Sequence, residues 1–237
     1  AILGGSGSGK TTLLNVIAGR YSSDQIHVDG NVRFGSLQKC SVGYVTQQDF
    51  LMPHLTVKET LMFAARMKVD PKTPIPVGGR FKSDSEHSTT SQLHTDRMYA
   101  YLVDTVIQDL GLKECADGLV GDSGSASQLS GNRGLSGGER RRVSIAIQII
   151  SDAKVLCADE PTSGLDSFTA ITVIEALHRL TRGSHHTTVI ASIHQPRADV
   201  FHMFDSVLLL SKGGHAVYCG TTKAMVGYFQ LLGFDCP

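Results

Sequence analysis

Near its start the chain reads Gly4-Gly5-Ser6-Gly7-Ser8-Gly9-Lys10-Thr11, and a second threonine, Thr12, follows. This stretch fits the pattern G-x-x-x-x-G-K-[ST], which is informative when a strand precedes it and a helix follows it. Ile2 and Leu3 supply the apolar end of a strand, and residues 11–20 carry apolar side chains at helical spacing. The sequence therefore predicts a strand, a glycine-rich loop and a helix in succession.

Each residue type in this loop suits the binding of phosphate. Glycines let backbone N–H groups converge on phosphate oxygens, and the start of the helix adds the positive end of its dipole. Lys10 would neutralise the β and γ phosphates, and the Thr11 hydroxyl would bind Mg²⁺. A flexible Gly/Ser linker is the alternative, but it does not explain a lysine and two threonines at a helix start. We therefore expect the loop to bind phosphate.

The composition is that of a globular protein without a dominant charge. The 237 residues suffice for one α/β domain, and lysine plus arginine equals aspartate plus glutamate at 22 each. Because no basic surplus is available to hold a nucleic-acid backbone, nucleic acid is not expected as a partner. The five cysteines lack CxxC spacing, which favours reduced thiols over a disulfide framework or a zinc site.

Two features indicate that the chain works as part of something larger. No apolar run approaches the ~20 residues that span a bilayer. The three residues before Gly4 are short for a buried strand, which has about 5 to 6 residues, so we expect the chain to begin inside a strand as a fragment of a longer protein.

The order of elements predicts an α/β fold with a mainly parallel sheet covered by helices on both faces. A hairpin is expected at 26–34 and a mobile insertion at 71–94, inside a small helical lobe that covers approximately 51–150. Strands are expected at 42–45, 155–158, 187–192 and 207–210, and helices at 11–20, 56–67, 96–110, 137–150, 167–180 and 222–232.

Two adjacent carboxylates, Asp159 and Glu160, follow the apolar strand at 155–158. The carboxyl end of a strand is where open α/β sheets bind ligands. Asp159 would hold Mg²⁺ directly or through water, and Glu160 would polarise the attacking water. The alternative is an acidic helix cap or turn before Pro161, which explains the pair less well once a phosphate loop is present.

A second anion site is indicated at the start of the helix at 137–150. Ser136 and Glu139 make a capping box there, but capping does not explain the two consecutive glycines, Gly137 and Gly138, in the first turn. Each glycine costs a helix about 1 kcal/mol relative to alanine, which suggests close approach by a group from outside. A helix start with bare N–H groups can receive an anion.

The string Leu135-Ser136-Gly137-Gly138-Glu139 resembles the signature motif of the ATP-binding cassette (ABC) family, whose ATPases are P-loop NTPases. Gln47 matches the family's Q-loop glutamine, and His194 matches its switch histidine. Asp166, in Ser163-Gly164-Leu165-Asp166, matches its D-loop. Without this order of motifs, His194 would be read as a core or turn histidine and Gln47 as a surface residue.

The resemblance implies a dimer that sandwiches two ATP-Mg²⁺ between subunits, in a homo- or heterodimer. The phosphate loop of one subunit would face Ser136, Gly137 and Gly138 of the other, with Glu139 and Asp166 beside the nucleotide. Thr11, Gln47 and Asp159 would hold Mg²⁺, and Glu160, His194 and Gln47 would serve ATP hydrolysis. Gln47 would also link Mg²⁺ to the membrane-facing surface.

In and around these motifs the amino-acid sequence is similar to that of subfamily G, the eye-pigment, sterol and drug half-transporters. The similarity is found in residues 138–145, in Ile193-His194-Gln195-Pro196-Arg197 and in residues 227–237. This implies a single ATPase domain at 1–237 on the cytosolic face of a membrane, truncated at its amino end, with a transmembrane domain beyond Pro237. Transport of a lipid-like or other hydrophobic substrate is expected. The insertion at 71–94 and the Ser/Gly-rich run before Gly134 are longer than usual, and the adenine-stacking aromatic should lie upstream of Ala1.

Two other functions compete with the transporter motor. A soluble cassette protein of DNA repair or translation is disfavoured by the absent basic surplus and by the apolar stretch Phe50-Leu51-Met52-Pro53 after Gln47. A regulator that binds ATP without hydrolysing it is disfavoured because Lys10, Asp159, Glu160 and His194 are all present.

Overall fold

The fold is known from a computed structural model. It describes residues 1–22, 24, 27–35, 40–70, 88–121, 134–182 and 187–234, with the backbone alone at 88–94. The insertion expected at 71–94 therefore lies outside the described residues except for its last part, and so does most of the Ser/Gly-rich run before Gly134.

Within these ranges six strands form one sheet, in the order β2-β3-β4-β1-β5-β6. All neighbouring pairs are parallel except β5 and β6, which run antiparallel. The mainly parallel sheet is thus confirmed. The strands are β1 (Ile2–Gly4), β2 (Val42–Val45), β3 (Val155–Asp159), β4 (Thr188–Ile193), β5 (Ser206–Leu210) and β6 (Ala216–Thr221).

Helices follow most of the strands, as the alternation in the sequence predicts. The helix α2 begins at a capping box in which Thr56 accepts from the N–H of Glu59 and the Glu59 carboxylate accepts from the N–H of Thr56. The helices are α1 (Lys10–Ile17), α2 (Val57–Lys68), α3 (Ser88–Asp109), α4 (Gly137–Ile149), α5 (Ser167–Arg182), α6 (Ala198–Phe201) and α7 (Thr222–Leu231). In the described part of the chain, no helix combines the length and apolarity needed to cross a membrane.

The sheet is covered on both faces, and its strand β3 is accordingly buried along its whole length, with four apolar residues before Asp159. Val155 and Cys157 point to the face where α1 packs through Leu14. Leu156 and Ala158 point to the opposite face, into a core shared with α2, α3, α4 and α5. Burial also raises the pKa of the Cys157 thiol to about 11, so it stays protonated at neutral pH.

Two expectations about the elements were wrong, and one strand was missed. Residues 27–34 contain no strand: Val32 is exposed, Phe34 alone packs against a core cluster, and an isolated two-stranded hairpin is marginal in water. The antiparallel pair lies instead at β5 and β6, and β6 was not predicted. Residues 88–94 are helical and not part of an irregular insertion, since extending an existing helix avoids the cost of nucleating a new one.

The helices α4 and α5 touch at a point where a side chain would not fit. A Cβ placed on Gly138 would lie 2.1 Å from Cγ2 of Thr169. Thr169 cannot easily turn away, because its hydroxyl donates to Asp166 Oδ2 at 2.5 Å and its N–H donates to Asp166 Oδ1 at 3.1 Å. Gly138 therefore allows close packing within one chain.

We predict that Gly138→Ala lowers the free energy of unfolding by about 1–3 kcal/mol through overpacking against Thr169. Thr169→Ser keeps the hydroxyl and removes Cγ2, so in that background Gly138→Ala should be neutral or stabilising by up to about 1 kcal/mol, the helix-propensity gain. Thermal unfolding of the four proteins measures this, at roughly 2–4 °C per kcal/mol for a chain of this size. An equal loss in both backgrounds would show that the Cγ2 contact is not the cause.

Candidate active site

The phosphate loop joins β1 to α1 at the carboxyl end of the central strands, as its sequence predicts. Gly9 caps α1 in the left-handed conformation, with φ at 83°, which suits glycine. A Cβ on Gly4 would lie 2.6 Å from the carbonyl oxygen of Leu210 on β5, so the loop can lie this close to the sheet only with glycine there. Gly5, Ser6 and Gly7 are exposed, which leaves the loop accessible to a ligand.

Lys10 is a buried cation, with 5% of the residue exposed. Its ammonium donates to the carbonyls of Gly4 at 2.9 Å and Gly5 at 3.0 Å, and lies 3.9 Å from Glu160 Oε1. A buried charge is costly unless paired. Two carbonyls and a carboxylate 3.9 Å away pair the ammonium incompletely, so an anion bound at the loop would stabilise its buried charge.

Ser8 gives an independent indication that the loop fits a phosphate. Its hydroxyl is buried and has no hydrogen-bond partner among the described residues. Buried polar atoms without partners are rare in folded proteins and call for an explanation. Thr11 and Thr12 are exposed in the first turn of α1, where the helix dipole also favours an anion.

A chain of hydrogen bonds connects Thr11 with the two predicted carboxylates. The Thr11 hydroxyl donates to Asp159 Oδ1 at 3.0 Å, and the fully buried Ser192 donates to the same oxygen at 2.6 Å. Ser192 Oγ also accepts from the N–H of Glu160 at 2.8 Å. Ser192 lies directly opposite Asp159 on the neighbouring strand β4, which places it to hold both acids.

Sequence reasoning missed Ser192. The available signal was a serine inside an otherwise apolar strand, two residues before His194. A polar residue at such a place usually serves a buried partner, which here is the Asp159 carboxylate.

Gln47 and Glu160 meet above the end of β3. The Gln47 amide donates to Glu160 Oε2 at 3.1 Å, although the two residues are 113 positions apart in sequence. Glu160 has a positive φ of 45°, and Gln195, after β4, has 47°. Such conformations cost of order 1–3 kcal/mol outside glycine and are concentrated at functional sites. His194 is exposed between β4 and Gln195.

The oxygen atoms assembled here suit Mg²⁺ bound together with a nucleotide. Thr11 Oγ1 and Asp159 Oδ1 lie 3.0 Å apart, and the Gln47 side chain reaches the adjacent Glu160. In the described ranges, no group of three or more His, Cys, Asp or Glu side chains could hold a metal alone. Mg²⁺ needs no such cage, since it commonly binds one or two carboxylates, waters and substrate phosphates.

The residues of the predicted signature lie at the start of α4, and their contacts are local. Ser136 and Glu139 form the predicted capping box, with the N–H of Ser136 donating to Glu139 Oε2 at 2.8 Å. Gly138 is buried against Thr169, so internal packing already explains that glycine, whereas Gly137 is exposed. None of the hydrogen bonds described for Ser136 and Glu139 reaches the phosphate loop.

Asp166 lies in the exposed turn before α5, next to the same surface. It accepts hydrogen bonds from the side chain and the N–H of Thr169 and from the N–H of Phe168, which lower the pKa of its carboxyl. It therefore caps α5 as a carboxylate. The described structure thus brings Lys10, Thr11, Gln47, Asp159 and Glu160 together, and gathers Ser136, Gly137, Gly138, Glu139 and Asp166 at the starts of α4 and α5.

A cavity of about 430 Å³ lies elsewhere, between α5 and the amino ends of three strands. Its lining includes Ala1 before β1, Thr188 at the start of β4 and Ser206 at the start of β5. Open α/β sheets bind ligands at the carboxyl ends of their strands, and the polar groups described above are all at that end. The cavity is therefore not the candidate active site.

Comparison with known proteins gives matches along the whole chain. The family model described as "ABC transporter" matches residues 1–163, and the model described as "ABC-2 type transporter" matches residues 194–237. The chain is 43% identical to ATP-binding cassette sub-family G member 8 of Rattus norvegicus and 41% identical to that of Homo sapiens. It is 38% identical to ABC transporter G family member 1 of Dictyostelium discoideum. Each match covers 100% of this chain but only 30%, 31% and 26% of the relative, respectively.

We predict that Ser192→Ala lowers the free energy of unfolding by about 1–3 kcal/mol, because the buried Asp159 carboxylate and the Glu160 N–H each lose a partner. Thr187→Val is the matched control: Thr187 is also buried on the same stretch of chain, and its hydroxyl donates to the neutral carbonyl of Ala153 at 3.1 Å. Hydrogen bonds to charged groups are worth more than neutral ones, so Ser192→Ala should cost more than Thr187→Val. Denaturant unfolding measures both, and an equal or smaller loss for Ser192→Ala would contradict this account of Asp159.

Proposed function

Since the chain belongs to the ABC transporter family and is similar to its subfamily G along its whole length, we propose that it binds ATP with Mg²⁺ and hydrolyses ATP to ADP and phosphate. The observation that carries the proposal is the network joining Thr11, Asp159, Ser192 and Glu160 beside the ammonium of Lys10. It brings a cation, two oxygen atoms 3.0 Å apart and a second carboxylate into one small region, which supports the proposal.

Each residue of this network has a role that follows from its position. The loop N–H groups and Ser8 bind phosphate oxygens, and Lys10 moves from the carbonyls of Gly4 and Gly5 to the β and γ phosphates. Thr11 and Asp159 bind Mg²⁺, with Gln47 completing the oxygen set. When bound, Mg²⁺ neutralises the negative charge that develops during phosphoryl transfer.

Glu160 is the residue proposed to orient the attacking water and accept its proton. Its carboxylate is partly exposed, is held by the Gln47 amide at 3.1 Å, and lies 3.9 Å from the Lys10 ammonium. Its backbone is fixed by Ser192. His194 follows the next strand, within the same edge of the sheet, and is proposed to contact the γ-phosphate.

The second proposal is that the site is completed by another ABC subunit. Ser136, Gly137 and Gly138 present a helix start with one exposed glycine, and their described hydrogen bonds do not involve the phosphate loop. A helix start can bind an anion through its N–H groups. In a head-to-tail dimer, this helix start would contact the γ-phosphate held by the partner, with Glu139 and Asp166 beside it.

The whole protein is proposed to be a half-transporter. The relatives extend well beyond the matched region, and residues 194–237 match a model described as "ABC-2 type transporter". We propose a transmembrane domain on the same polypeptide, with this ATPase domain on the cytosolic face and a helical lobe at approximately 51–150. Phe50 and Met52, which follow Gln47, are exposed apolar side chains that would contact that domain. The substrate is proposed to be lipid-like or otherwise hydrophobic.

The alternative, a soluble cassette protein of DNA repair or translation, is not favoured. The formal net charge is +0, which offers no basic field for nucleic acid. The match of residues 194–237 to a transporter model is unexpected for a soluble cassette protein.

Glu160→Gln should leave ATP binding intact and remove most hydrolysis, because the amide keeps the shape of the carboxylate but cannot accept a proton. Lys10→Ala should instead weaken ATP binding, since it removes the cation that neutralises the phosphates. Both are measured on the full-length protein, by binding of a fluorescent ATP analogue and by phosphate release. Turnover of ATP by Glu160→Gln at the parent rate would contradict the role given to Glu160.

The dimer proposal predicts complementation between two inactive variants. Lys10→Ala damages the phosphate loop, and Gly137→Asp places a negative side chain against the γ-phosphate at the signature. Each homodimer then has two damaged sites, whereas a mixed dimer gathers both lesions in one site and leaves the other intact. Full-length mixed dimers, purified through two different tags, should recover part of the parent ATPase activity. If the mixed dimer recovers no ATPase activity, the proposal of a partner-completed site that hydrolyses ATP without a second working site is contradicted.

A further inference from the structure

Three consecutive arginines on α4 each contact a different segment of the chain. Arg140 donates to the carbonyl of Gly121 at 2.7 Å, and Arg142 donates to that of Gly111, after α3, at 2.8 Å. Arg141 donates to the carbonyl of Thr46 at 2.6 Å and to that of Gln47. The middle arginine is therefore the one that holds the loop after β2, which carries Gln47.

It is unusual for a loop to be attached to a helix through a buried charged side chain, as Arg141 does here. Only 4% of the residue is exposed, and its guanidinium lies 3.1 Å from Asp49 Oδ1, whose residue is also largely buried. Its Nε has no hydrogen-bond partner among the described residues. Replacing a buried ion pair by apolar packing is often neutral or stabilising, so stability alone explains the arrangement poorly. A planar donor with fixed geometry does, however, fix the backbone it contacts in one position.

The contact has a direct consequence for the active site. The carbonyl that Arg141 holds belongs to the residue whose side chain donates to Glu160 Oε2 at 3.1 Å. Gln47 is itself exposed and lies outside any strand or helix, and its backbone is held by Arg141 and by the Thr46 hydroxyl, which donates to the carbonyl of Gln48 at 2.6 Å. The same arginine lies about one turn into α4, the helix that Ser136 caps.

We propose that Arg141 is a positioning residue for ATP hydrolysis: it fixes the Gln47 backbone so that the amide holds Glu160, and it ties this loop to the helix that presents the signature residues. The proposal rests on the proposed ATPase function.

The test is a double-mutant cycle on the full-length protein with Gln47→Ala and Arg141→Lys. Lysine keeps the charge near Asp49 but cannot donate to both carbonyls in one plane. Arg141→Lys should lower kcat by about tenfold and leave the KM for ATP within about twofold, because ground-state binding of the phosphates does not involve it. If Arg141 acts through Gln47, the double variant should lose no more kcat than the worse single variant.

Arg142→Lys is the matched control, since it makes the same replacement one residue further and affects the end of α3 instead. Whatever fold change in kcat it causes, the double variant with Gln47→Ala should show the product of the two single fold changes. Should Arg141→Lys unfold, Asp49→Asn takes its place in the cycle, because it removes only the counter-charge and should give a smaller loss with the same lack of additivity.

If the fold losses of kcat caused by Arg141→Lys and Gln47→Ala multiply in the double variant, the proposal is overturned and Arg141 is a structural residue. The same holds for Asp49→Asn if it is used in place of Arg141→Lys. A parent-like kcat for Arg141→Lys would overturn it as well. Neither outcome affects the proposed function, which is tested separately by the loss of hydrolysis in Glu160→Gln.

Discussion

Two buried charges, the Lys10 ammonium and the Asp159 carboxylate, govern how the carboxyl end of the sheet is built. Each is largely removed from water and must be paired within the protein. Asp159 is satisfied by the hydroxyls of Thr11 and Ser192, which come from α1 and β4, while Lys10 relies on the loop carbonyls of Gly4 and Gly5. These contacts require β3, β4 and β1 to be neighbours in that order, and the sheet has that order. The fold and the site thus depend on the same few hydrogen bonds.

The features predicted correctly are those whose cause is local. The phosphate loop is recognisable because glycine, lysine and threonine each serve phosphate at fixed spacing between a strand and a helix. The buried strand before Asp159 shows itself as a short apolar run, and the order of strands and helices implies a parallel sheet. The capping box at α4 also follows from spacing alone.

The features that were missed or wrong depend on distant partners. Gly138 is needed because Thr169 lies against it, and Ser192 matters because Asp159 lies opposite on another strand. Neither neighbour can be read from sequence without the fold. The hairpin at 26–34 failed for the converse reason: its local turn signal is present, but at 27–34 only Phe34 packs against a core cluster and Val32 is exposed, which leaves little to hold two strands together.

In the proposed dimer each chain contributes to two nucleotide sites: to one through the residues around Lys10, and to the other through the start of α4. The most direct measurement is disulfide crosslinking of the full-length protein with exposed residues replaced, Ser6→Cys and Ser136→Cys, in a background in which the exposed Cys219 is serine. With ATP bound and hydrolysis blocked by Glu160→Gln, these cysteines should join two chains, and removal of ATP should abolish the link. A link within one chain, or one that forms equally without ATP, would contradict the account.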